Sequence, residues 1–83
     1  MNAYKARILE DIADATYSRD YYQQKAWEFV GIREDSTTAQ DYFESVKSWD
    51  AKIEKLMKLA KEEHIPYKEI KNAIDKKYRA MQE

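Results

Sequence analysis

His64 is the one histidine of the chain, and there is no cysteine. Nucleophile–base pairs and metal-ligand sets draw mainly on those two residue types. His64 stands between Glu63 and Ile65, two residues before Pro66, which suits a turn better than a general base. Carboxylates gather at Glu10, Asp11 and Asp14, and again at Glu62 and Glu63. A di-metal site in a helical bundle needs Glu-x-x-His pairs facing inward, and the sequence offers none. These carboxylates read as solvated or paired with neighbouring lysines. No glycine-rich phosphate loop is present. The reading is of a non-enzymatic chain with no cofactor, no metal and no small-molecule substrate.

One stretch carries binding chemistry instead. "LAKEEHIPYKEIKNAI", Leu59 to Ile74, has the spacing of a helix-turn-helix core at Leu59, Ala60, Ile65, Ile70 and Ala73. In that arrangement Tyr67, Lys68, Lys71 and Asn72 would face a major groove, with Lys76 near phosphates alongside Lys77 and Arg79. Three features oppose it. His64 replaces the usual turn glycine, Glu63 takes a position that is normally apolar, and the preceding helix is too long. Fifteen cations against sixteen anions and a pI near 5.9 also fall short of the basic surface that phosphate neutralisation requires. A DNA-binding accessory factor is therefore the alternative, and a protein-binding module the preferred reading.

The elements that must position these residues are helices. A chain of 83 residues fits one domain, residues 1–83. One Gly and one Pro leave little material for tight turns and argue against a sheet. The spacing predicts an all-α fold with helices at about 3–30, 38–63 and 66–82. Gly31 suits the cap that ends the first helix, and Thr37 with Gln40 matches a capping box for the second. Pro66 ends the second helix and opens the third. Eleven aromatics must supply much of the burial. The first fifteen residues carry charges every few positions and resemble neither a signal peptide nor a membrane span, so a cytoplasmic location without membrane contact is expected. The Lys-, Tyr- and Ile-rich, Gly-poor composition resembles that of short reading frames from AT-rich bacteria and their phages.

Both long helices carry apolar stripes at three-four spacing, the seam of a coiled coil. The first runs through Ile8, Ile12, Ala15, Arg19, Tyr22, Ala26 and Phe29, and the second through Ala39, Tyr42, Val46, Trp49, Ile53, Leu56 and Ala60. A short connection makes them antiparallel. Residues whose numbers sum to 68 then meet: Ala26 with Tyr42, Arg19 with Trp49, Ala15 with Ile53, Ile12 with Leu56, Ile8 with Ala60. Arg19 is the one cation inside this seam. Its expected place is over the Trp49 ring beside Asp50, a contact of about 0.5–2 kcal/mol.

The expected architecture is a long antiparallel, coiled-coil-like hairpin completed by a shorter third helix into a three-helix bundle. That third helix, at about 25 Å, covers only the proximal half of the hairpin. Its Ile70, Ile74, Tyr78 and Met81 are expected to dock on Leu9, Ala13 and Met57. Trp27, Val30 and Phe43 remain at the distal, loop end, with Tyr21 and Ile32 as outliers. Exposed aromatic clusters on small chains mark contacts with other chains. This patch is the candidate protein-binding site, for a second copy of the chain or for a target it regulates or inhibits.

Overall fold

A computed structural model describes residues 2–31 and 35–82. Three helices, α1 (Ala3–Gly31), α2 (Ser36–Glu62) and α3 (Tyr67–Gln82), account for nearly all of them. The described residues form a rod with extents of 46 × 28 × 17 Å. α1 and α2 lie antiparallel along its length. α3 turns back from the end of α2 and runs parallel to α1.

Local chemistry sets the helix ends. Asn2 caps α1, its Oδ1 accepting from the Lys5 N–H at 2.8 Å. α2 is capped by Asp35 and not by Thr37. The Asp35 carboxylate accepts from the Thr38 N–H at 3.0 Å and from the Thr38 hydroxyl at 2.8 Å. A carboxylate that can take two donors outcompetes a threonine hydroxyl for this position. These bonds, from the Thr38 backbone first, hold the Asp35 carboxyl below its ordinary range. Gly31 is likewise not a left-handed cap: it belongs to α1 and has no positive φ. The turn is closed by Asp35 N–H donating to the Phe29 carbonyl at 2.8 Å.

The α2–α3 turn has the conformation that usually calls for glycine. His64 has φ 57°. Its N–H donates to the Lys61 carbonyl, and Ile65 N–H reaches back to Ala60 at 2.9 Å. That pair of bonds is a Schellman motif, and it places Ile65 against the bundle. His64 is thus a turn residue, as its setting in the sequence suggested.

The core sits at this proximal end. Ile8, Ile12, Ala60, Ile65 and Ile70 form one buried cluster, with Leu9, Leu56, Met57 and Ile74 packed around it. Ile12 is its largest fully buried member, at 1% exposure. Further along the hairpin the fully buried residues are alanines: Ala15, Ala26 and Ala39. Larger side chains interdigitate over them. Tyr42 is clasped by Phe29 (stacked, 5.4 Å between centroids) and Tyr22 (6.0 Å), which bracket Ala26 on α1. With Ile8 and Ala60 in one cluster at the other end, this is the sum-68 register, without a heptad slip.

Arg19 departs from expectation. Its guanidinium donates to Asp20 at 3.0 and 3.1 Å and to Asp50 at 3.4 Å. The cation over the Trp49 ring is Lys52, at 5.0 Å. Two carboxylates within reach attract a guanidinium more strongly than a ring face does. Burial alone would lower the Arg19 pKa, but bonding to Asp20 and then Asp50 raises it.

α3 docks on α1. Its Cα atoms come within 8 Å of those of α1 but not of α2. Ile70 and Ile74 enter the core as expected, while Met81 stays exposed. Tyr78 lies against Tyr17, 5.5 Å between centroids, and its hydroxyl donates to Asp20. Lys77 pairs with Asp14 at 2.9 Å. The polar middle of α1 therefore serves as the anchor for the end of α3.

Candidate functional site

Trp27 lies on the same stripe of α1 as Leu9, Ala13 and Asp20, but about two turns past Asp20, where Tyr78 of α3 is anchored. Its indole is 60% exposed. It is held on one side by Phe43 of α2, edge to face, with 5.4 Å between centroids. Val30, 43% exposed, follows on the next turn. The register produces this pairing: with Ala26 under Tyr42, the next residues outward on the same flank are Trp27 and Phe43. Phe43 is half-buried and braces the indole from below. The result is a propped aromatic knob at the loop end.

Tyr21, expected as an outlier of the patch, does not join it. Tyr21 is 48% exposed, but six residues from Trp27 place it about 120° round the helix. It contacts Tyr22 edge-on at 5.4 Å and carries Lys25 over its ring at 5.8 Å. Ile32 lies outside the described residues. The knob is therefore Trp27, Phe43 and Val30.

At the opposite end the third helix leaves two grooves. One, of about 450 Å³, runs between α1 and α3 over Ala6, Leu9, Ala13, Ala73 and Ala80, with Glu10, Asp14, Lys76 and Lys77 on its rim. Alanines that allow close approach here leave space instead. The other, of about 410 Å³, lies between α2 and α3. Its floor is Met57, Ile65 and Ile70, and its rim Glu54, Lys58, Lys61 and Tyr67. It exists because α3 leans on α1 and away from α2. Sequence periodicity gave no sign of either groove, since it assigns a face to each helix but not a tilt.

The proposed nucleic-acid residues Tyr67, Lys68, Lys71, Asn72 and Lys76 are all exposed. At ~100° per residue, Tyr67, Lys68, Lys71 and Asn72 span about 140° of α3. Tyr67 and Lys76, nine residues apart, stand about 180° round α3 from each other. Each borders a different groove.

Among the described residues no group of three or more His, Cys, Asp or Glu could hold a metal ion. No described helix is long and apolar enough to cross a membrane. Comparison with protein-family models, curated proteins and solved structures finds no match to this chain.

Proposed function

We propose that this protein is a small non-enzymatic binding module whose contact residue is Trp27. The observation that carries the reading is an indole 60% exposed yet fixed in orientation by Phe43. Beyond the energy of the ring contact itself, such bracing favours recognition, because a pre-set rotamer loses less entropy on binding. Tryptophan is also the residue type most enriched at binding hot spots. Val30 extends the apolar contact, and Gln23 and Gln24 supply a polar rim. Duplex binding through α3 is the weaker reading, since fifteen cations against sixteen anions leave little basic surface for phosphate neutralisation.

The test places a photo-cross-linking residue at position 24, beside the knob, and exposes cells of the source organism to light. A cross-linked species, whether to a second copy or to another protein, should form with Trp27 present and vanish in Trp27→Ala. Thermal melting should show the Trp27→Ala chain still folded. A cross-linking pattern indifferent to Trp27 would overturn the reading.

A further inference from the structure

The knob and the α2–α3 groove lie at opposite ends of a 46 Å rod, and they are complementary. We infer that the knob of one copy seats in the α2–α3 groove of a second copy, head to tail; this rests on Trp27 being the contact residue. Two observations support the match. The first is shape. The knob is convex and aromatic, and the groove is an apolar concavity of about 410 Å³, within the ~300–1,000 Å³ range typical of ligand pockets.

The second is charge. Within residues 21–47, at the distal end, the described residues carry four carboxylates against two cations. Residues 52–82, which form the end of α2 and all of α3, carry nine cations against five carboxylates. An acidic end thus meets a basic one. The rim of the α2–α3 groove has Lys58 and Lys61 against Glu54. The α1–α3 groove is balanced, Glu10 and Asp14 against Lys76 and Lys77, with Lys77 already paired to Asp14. Charge therefore selects the α2–α3 groove.

A knob in a groove buries the indole against the exposed apolar walls that receive it, and brings the charged flanks together. The same patch cannot serve both sides, so the contact is heterologous, and each copy is left with one free knob and one free groove.

That asymmetry gives the test. Two variants are prepared: Trp27→Ala, with the groove intact, and Lys58→Glu with Lys61→Glu, with the knob intact. All the substituted side chains are exposed, so both should fold, and circular dichroism checks this. Weight-average mass is followed by sedimentation against concentration at low salt. The unsubstituted chain should pass beyond twice the monomer mass, and added salt should reverse this. Each variant alone should stay monomeric. An equimolar mixture should rise to twice the monomer mass and stop there, because only one knob and one groove remain usable. A mixture that stays monomeric overturns the inference, as does an unsubstituted chain that is monomeric throughout. Association lost in Trp27→Ala but kept in the lysine variant sinks only the groove and leaves the Trp27 reading intact. Association that survives Trp27→Ala sinks the Trp27 reading itself.

Discussion

The two ends of the hairpin share a register and a stripe pattern but not a packing solution. At the proximal end a third helix closes over Ile8 and Ile12 and buries Ile65 and Ile70 with them. At the distal end, among the described residues, two helices have only each other. There the fully buried residues are Ala26 and Ala39, and the aromatics stack with part of each ring still in water. A pair of helices has one shared seam, and side chains flanking it find no second wall. The contrast shows that a two-helix segment can be ordered by aromatic pairs while leaving a large apolar side chain outside. The proximal end carries the stability, and the distal end carries surface for use.

The sharpest way to break this comparison is to remove a large side chain from each end. Ile12→Ala empties the centre of the aliphatic cluster and should cost about 2–5 kcal/mol, enough to unfold much of so small a chain. Ile53, which the seam also places inside, is only half-buried and should cost less. Trp27→Ala, though it removes more atoms, loses one edge-to-face contact of about 0.5–1.5 kcal/mol. Urea unfolding of both variants checks the order. A larger loss for Trp27→Ala would put the indole in the core and reverse the assignment of the two ends.

Much of this division was legible in the sequence. The three-four stripes dictated the helices and the sum-68 register, because apolar periodicity reports directly which face is buried. Exposure of Trp27 followed from the length of α3 alone. Three things were not legible. The capping residue was Asp35, not Thr37, because several residues near a helix start can cap and the winner depends on loop geometry. Arg19 chose carboxylates over Trp49, since seam position does not fix where a long side chain ends. The grooves depend on the tilt of α3. The flank of Tyr21, by contrast, is legible, since ~100° per residue sets it off the Trp27 stripe.

The boundary between the two ends is the polar group Tyr78, Asp20, Arg19 and Asp50, which fastens the last turns of α3 to the hairpin. Burial, and then the neighbouring Asp20 carboxylate, push the Tyr78 hydroxyl up to about 12. Its folded pKa lies above its unfolded value of ~10, so the neutral phenol favours the folded state. That contribution is complete below pH ~10 and is lost as pH rises through the folded value of about 12. Absorbance titration should show Tyr78 ionising late in the folded chain and not in the unfolded one. Tyr78→Phe should remove that late step and flatten the alkaline loss of stability. If the late step persists in Tyr78→Phe, the anchor is elsewhere, and the third helix is not held where the proximal end gives way to the distal one.

The smallest effects lie in the two turns, and they should have opposite chemistry. At the proximal turn His64 occupies a left-handed conformation, φ 57°, in which a Cβ is strained. Glycine would relieve that strain, though its freer unfolded chain takes part of the gain back. His64→Gly should therefore raise stability by no more than about 1 kcal/mol. At the distal turn the glycine is already present but has no positive φ, and a Cβ on Gly31 would meet nothing within 4 Å. Gly31→Ala should stabilise by about 0.4–1 kcal/mol through the unfolded chain alone. At ~4–8 °C per kcal/mol, each change should raise Tm by a few degrees. Association through Trp27, four residues from Gly31, should be unaffected. The exchange in the other sense is the decisive control. His64→Ala keeps a Cβ in the left-handed turn and should give none of the gain of glycine. A drop in Tm for Gly31→Ala would mean that the end of α1 needs the freedom of glycine after all, and that the distal end is less fixed than its aromatic clasp implies.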